Sequence, residues 1–364
     1  MSIPLVDQVV IVAYLVGVTA VGLLSVRRLK LTGDVYFLAG RALPWGIVGA
    51  ALFSSNISTI HLVGLAEAGY KHGLVIGNFE WMATFTLILL ALVFAAFYYR
   101  TRVATLPEFL ERRYGPAVRT IVAAMAIAAA LLIHIGISLY AGAAVFREFF
   151  GIDVVVSIVV IAVITAIYTV VGGLRAVVIT ETIQTVVLLG GAVIVTVLAF
   201  AALPGHGIDS LAAFREAVKP DQLSMLHTSN EAGYAWYAIF LGYPVLGIWY
   251  WCTDQTIVQR VLGFSLGVVA FLVDLPVIGD TQLITEGLGV SFMMQAWWGF
   301  CICSGIFVVA SLLTPAPPRE QVEAVTWESP WQVIAHGRIE GIGDPRVLAG
   351  LLLLLMAVLY AFFR

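Results

Sequence analysis

The run Ser54-Ser55-Asn56-Ile57-Ser58-Thr59-Ile60-His61 sets hydroxyls, an amide and an imidazole side by side within an otherwise apolar stretch. At the depth of a bilayer centre such groups are costly unless they face a bundle interior or a water-filled cavity, where they handle ions and polar solutes. Holding helices together through interhelical hydrogen bonds is the alternative use of Ser, Thr and Asn; His61 and the downstream Glu67 add ionisable groups that such a role does not need. A second candidate is Ile248-Trp249-Tyr250-Trp251-Cys252-Thr253-Asp254-Gln255, which follows Gly242, Pro244 and Gly247. Proline removes a backbone donor and crowds the preceding turn, so this span is expected to be interrupted. Interrupted spans in corresponding positions of two halves point to a transporter's substrate site, because freed carbonyls and half-helix ends can coordinate ions and polar substrate groups.

Single ionisable residues add to the inventory. Glu80, behind Gly77-Asn78-Phe79, offers a carboxylate to accept from solute hydroxyls, with a solvated headgroup-level glutamate as the alternative. Glu181, close after Gly172-Gly173-Leu174-Arg175, reads either as a gate paired with an inward arginine or as a helix N-terminal carboxylate favoured by the macrodipole. His134 reads as a packed polar residue, and Asp254 pairs with Arg260 as readily as it touches cargo. The chain has no Walker A, HExxH, nucleophile elbow or dinucleotide fingerprint, and its three cysteines and six histidines do not cluster at metal-ligand spacing. The chemistry on offer is binding and coordination rather than catalysis.

The elements that must position these residues are apolar spans. Hydrophobic residues make up 61% of the 364 and charged residues 11%, against roughly 25% charged in a soluble domain. Crossing about 30 Å of hydrocarbon takes about 20 apolar residues as helix, and such segments lie at 6–27, 45–70, 77–99, 120–146, 152–173, 177–203, 234–259, 263–279, 288–313 and 347–363. The expected class is all-α, a polytopic membrane protein of about ten transmembrane helices. With the N-terminus outside and the spans alternating, 14 of the 19 Lys and Arg fall on the cytoplasmic side, the bias that normally fixes topology. Both termini then face outward, residues 204–233 form an outer polar loop, and 314–346 a cytoplasmic loop anchored at the interface by Trp327 and Trp331. The first span lacks a basic start and a small-residue cleavage site, so a retained helix is expected rather than a signal peptide. A net charge of −3 provides no basic face for nucleic acid.

Several motifs together resemble the sodium:solute symporter family, and within it the sodium/glucose cotransporter branch. They are Ala51-Leu-Phe-Ser-Ser-Asn-Ile57 with His61 and Gly64-Leu-Ala66, Gly77-Asn-Phe-Glu-Trp81, Thr105-Leu-Pro-Glu-Phe109, Ile167-Tyr-Thr-Val-Val-Gly-Gly-Leu174 with Thr180-Glu-Thr-Ile-Gln-Thr185, and Trp249-Tyr-Trp-Cys-Thr-Asp-Gln255 with Val258-Gln-Arg260. The resemblance implies a LeuT-like inverted-repeat core in the cell membrane, coupling inward sodium movement to uptake of a glucose-like sugar or polyol by alternating access. By position, Asn56, His61, Glu80 and Trp251 match sugar-binding residues and Tyr250 the aromatic gate that stacks beneath the sugar. Ser54 and Ile57 match backbone-carbonyl sodium ligands, and Glu181 falls where the family has an acidic residue linked to sodium and charge movement. Gly247 replaces a hydroxyl residue.

The resemblance also implies a gap. After Gly263 the family continues with four more core helices, whereas this chain passes at once to Phe264-Ser-Leu-Gly267, similar to a helix beyond them. The second repeat is then incomplete, and the chain divides into 1–262, carrying a peripheral helix, the first repeat and the first helix of the second, and 263–364, carrying C-terminal peripheral helices. A non-transporting remnant, a sensor or assembly partner, and an uncoupled sodium or water leak are the rival expectations. Sodium, the solute and the lipid bilayer are the expected partners, and a homo-oligomer is compatible with the sequence.

Overall fold

The computed structural model describes residues 4–27, 30, 32, 33, 36, 39, 43–101, 105–228, 233–253, 289–313, 339 and 341–363. The span expected at 263–279, the chain position 263/264, Asp254, Arg260, Trp327 and Trp331 lie outside the described residues. Among the described residues every regular element longer than a turn is helical. Helices over Leu5–Val26, His61–Phe94, Val154–His206 and Pro345–Phe362 are long and apolar enough to cross a membrane. Their outward faces carry Leu, Val, Ile and Phe in the open, among them Leu5, Val12, Val193, Phe200, Leu354 and Val358. Lipid surrounds such faces at no hydrophobic cost.

Packing divides the chain into two compact units, the first comprising 1–67 with 129–217 and the second 68–128 with 218–364. In the first, α1 (Leu5–Val26), α2 (Trp45–Asn56) and α9 (Gly136–Phe150) pack against α10 (Val154–Ala202). Asp153 caps α10, its Oδ1 accepting from the amides of Val155 at 2.9 Å and Val156 at 3.3 Å, a cap worth about 1 kcal/mol. Within α10 the backbone breaks at Gly173, with φ 58 and ψ −161. That left-handed geometry suits glycine, and a Cβ there would press on the backbone and ring of Tyr36. The spans expected at 152–173 and 177–203 thus join through a one-residue kink.

In the second unit, α3 (Ala66–His72) leads to a 3-10 turn, Gly73–Gly77, then α4 (Asn78–Trp81), α5 (Ala83–Leu89), a π-turn at Leu90–Phe94 and α6 (Ala95–Thr101). The hydroxyl of Thr105 accepts from the Glu108 amide to cap α7 (Leu106–Tyr114), which Gly115 ends at φ 97. Arg112 pairs with Glu108 along it, and α8 (Pro116–Ala129) follows. In the first unit, α11 (Leu211–Ala217) comes after α10. Back in the second, α12 (Trp236–Gly247) packs on α13 (Phe292–Leu313), and α14 (Pro345–Phe362), capped by Asp344, packs on α5. Gly242 is the residue of close approach between α12 and α13, since a Cβ there would overlap the Met293 carbonyl.

Candidate functional site

The helix expected at 45–70 is broken where the polar run begins. α2 ends at Asn56, and Ile57 is extended, with φ −80 and ψ 125. Helical structure resumes as a π-turn over Ile60–Leu65. In an unbroken helix the Ser58 amide would close onto the Ser54 carbonyl. Here it donates instead to Nδ1 of His61 at 3.1 Å, with the Ser58 hydroxyl 3.3 Å from the same nitrogen. This substitution releases the Ser54 carbonyl from the ladder and satisfies an amide at the head of the resumed helix. It also assigns the neutral imidazole its tautomer: Nδ1 accepts, so Nε2 carries the proton. Ser54 is buried, while Asn56, Ile57 and His61 are half-buried.

Glu181 belongs to the same unit, half-buried on the arm of α10 that follows Gly173, with the Tyr168 phenol within electrostatic reach. One turn further, the Thr185 hydroxyl meets the carbonyl of Ala50 on α2 at 2.7 Å and that of Glu181 at 2.9 Å. This bond fixes α2 against α10 one turn before the released Ser54 carbonyl. The first unit therefore holds a freed carbonyl at the end of α2 and, on α10, which packs against α2, the acidic Glu181.

The second unit brings together Glu80, Tyr250 and Trp251. Glu80 sits in the first turn of α4. Tyr250 and Trp251 lie on a π-turn, Ile248–Cys252, that continues α12, their rings edge-to-face at 5.1 Å between centroids. Trp251 is buried with Ala83 and Cys252, against Leu87 and Phe94. The Tyr98 hydroxyl donates to the Cys252 carbonyl at 3.1 Å and ties off the end of the turn. At the middle of the group stands Tyr243, 6% exposed. Trp251, Glu80, Tyr360 and Tyr250 all lie within electrostatic reach of its phenol. A carboxylate beside two phenols and an indole face can hold a neutral polyol, accepting from its hydroxyls while an aromatic surface covers its C–H face.

Two expectations change here. The span at 234–259 is not interrupted within its described residues: α12 runs through Pro244 and widens into the π-turn instead of opening. A π-turn adds a residue to the helical turn, so the chain stays helical beyond the proline that lacks a donor. Gly247 is occupied space rather than a vacant hydroxyl position, because a Cβ there would meet Tyr243 Cε1 and Thr86 Cγ2, each at 2.8 Å. Tyr243 itself was not among the expected site residues, and its place beside Pro244 in an apolar span is the one local signal it leaves. Among the described residues no group of three or more His, Cys, Asp and Glu could hold a metal ion, and nothing is described of the His134 side chain.

A family model, that of the sodium:solute symporter family, matches residues 36–358. The chain belongs to this family. Among the relatives of this symporter-family chain are sodium/glucose cotransporter 4 of Mus musculus, 36% identical over 272 residues, and sodium/glucose cotransporter 2 of Rattus norvegicus, 36% identical over 279. Each match covers 70% of this chain, with 39% of the mouse protein and 42% of the rat protein. Sodium/glucose cotransporter 1 of Oryctolagus cuniculus is 36% identical over 282 residues, 70% of this chain and 42% of that protein. The chain thus spans about two fifths of the length of the curated relatives it matches. A solved structure of a Na+-coupled sialic acid symporter, substrate-bound and outward-open, superimposes with a TM-score of 0.60 at 21% identity, covering 98% of this chain and 72% of the other. The chain therefore has the all-α, LeuT-like fold of a multi-pass membrane protein, and its family is one of transporters rather than enzymes.

Proposed function

We propose that this chain carries the binding machinery for sodium-coupled symport of a glucose-like sugar or polyol across the cell membrane, both termini facing outward. The observation that carries the reading is the grouping of Glu80, Tyr250 and Trp251 around Tyr243, a carboxylate and hydroxyls beside an aromatic surface. Sugar recognition needs both, since hydroxyls must be matched by buried polar partners and the sugar's apolar face by a ring. Sodium coupling is supported by the Ser54 carbonyl that the Ser58–His61 bond releases, with Ile57 and Glu181 as further contributors, and by the family itself. Asn56 and His61, on the broken helix of the first unit, are proposed as solute-binding residues on their match to the family's positions alone. In alternating access, sodium bound at the broken helix would favour the sugar-binding state, which is coupling by differential affinity.

A second reading, an uncoupled sodium leak or a non-transporting assembly partner, draws on ligand number. Two carbonyls from one helix are fewer than the several oxygens a dehydrated cation needs. Uptake of labelled glucose into proteoliposomes holding the purified chain separates the two. Accumulation under an inward sodium gradient that vanishes when choline replaces sodium is the expected result. Sodium flux without sugar accumulation, from protein verified as folded and inserted, would favour the second reading and overturn the first.

A further inference from the structure

Two residues before Glu80, Asn78 is a fully buried side chain, 1% exposed, that ties three distant segments together. Its Nδ2 donates to the carbonyl of Val75 at 2.9 Å, in the turn just before it, and to that of Met225 at 2.7 Å, in the polar loop. Two carbonyl partners leave the amide nitrogen one orientation, so Oδ1 must face the third partner, the Tyr360 hydroxyl, which donates to it. Tyr360 belongs to the last helix, α14. The loop and that helix are also bonded to each other, the Met225 amide donating to the Phe363 carbonyl at 2.8 Å. Around this node the packing is close. Gly73, at φ 81, lies so near Gln222 that a Cβ would overlap its backbone, and Gln222 Nε2 donates to the Tyr70 carbonyl at 3.3 Å. The ring of Tyr234 contacts both His72 and Phe79.

Asn78 opens the helical turn that carries Glu80, its own carbonyl accepting from the Met82 amide at 3.2 Å. Tyr243 lies within electrostatic reach of both Tyr360 and Glu80. We infer that Tyr360 is a positioning residue of the solute site: through Asn78 it holds the Glu80 turn at the angle sugar binding requires, making the C-terminal helix and residues 219–228 part of the specificity machinery. The inference rests on the proposed sugar site. It differs from a general packing role because the bond removed by Tyr360→Phe leaves the ring, the apolar packing of Phe240 against it and the Met225–Phe363 bond in place. What it strips is the partner of one buried oxygen, and the turn that Asn78 opens must shift to relieve that unsatisfied acceptor.

The test is equilibrium binding of labelled glucose to the full purified chain, with sodium-driven uptake measured on the same preparations, for wild type, Tyr360→Phe and Asn78→Ala. For Tyr360→Phe the expected result is a glucose Kd and uptake KM raised roughly three- to tenfold, with maximal uptake and sodium activation unchanged. Asn78→Ala should raise both further. Glucose affinity unchanged in Tyr360→Phe, whatever happens to maximal uptake or yield, would overturn the assignment while leaving the proposed function standing. Wild-type protein that is folded yet binds no glucose would instead overturn the functional reading, and the assignment with it.

Discussion

α2 stops at Asn56 and the backbone turns extended at Ile57 before helix resumes at Ile60, whereas α12 passes through Pro244 and only widens, over Ile248–Cys252. Both segments carry the residue types that disturb a helix, yet they disturb it differently. In α2 the disturbance has an alternative partner at hand: His61 Nδ1 takes the Ser58 amide, so opening the ladder costs little and frees a carbonyl. In α12 the only loss is the amide that proline never had, and the close approaches of Gly242 to Met293 and of Gly247 to Thr86 and Tyr243 hold the backbone helical. Opening presents main-chain oxygens, which suit a cation. Widening keeps those oxygens bonded and re-aims side chains, which suits a ring platform for a solute. The comparison gives the two interrupted-looking spans distinct tasks.

The largest way to break this comparison is at the packed glycine. Gly242→Val should destabilise the protein by roughly 3 kcal/mol or more, since no rotamer avoids the Met293 backbone; a melting curve in detergent reads it, and wild-type stability would show that α12 has room to open. Next, Trp251→Ala removes the platform and should weaken glucose binding by about 2–3 kcal/mol, thirtyfold or more, with sodium binding retained. Unchanged glucose binding would return Trp251 to packing alone. Smaller is His61→Ala, which lets the Ser58 amide return to the Ser54 carbonyl; sodium affinity should fall by about 1.4 kcal/mol, roughly tenfold. Smallest is Pro244→Ala, expected to change stability by less than about 1 kcal/mol and glucose uptake by less than about twofold, because the π-turn already accommodates the site. Collapse of uptake in Pro244→Ala would mean that the span works by breaking after all.

The polar run after α2 was legible as a candidate site from residue types, because Ser, Asn, Thr and His in succession are costly at bilayer depth, whereas the break itself was implied only by the family resemblance. The apolar spans were legible for the same reason in reverse, and those wholly within the described residues are helical apart from the break after Asn56 in the span at 45–70. The behaviour of α12 was not, since Pro244 signals a lost donor without saying whether neighbours will hold the helix closed, and those neighbours, Thr86 and Met293, are distant in sequence. Asn78 was visible as a polar residue at the head of a span, but its partners at Met225 and Tyr360 lie 147 and 282 residues away. Tyr243 read as one more aromatic in an apolar stretch until Glu80 and Trp251 were seen to converge on it. Periodicity reports which face of a helix is apolar, and it carries no information about which remote group a buried polar atom will meet.

The most direct measurement is calorimetric titration of sodium and, separately, of glucose into the purified chain and its His61→Ala variant, with choline keeping ionic strength constant. A released Ser54 carbonyl as sodium ligand predicts a roughly tenfold loss of sodium affinity in the variant, and with it the loss of sodium's enhancement of glucose binding. Equal sodium affinity in the two proteins, both folded, would contradict the account, because the helix break would then have no part in holding the ion.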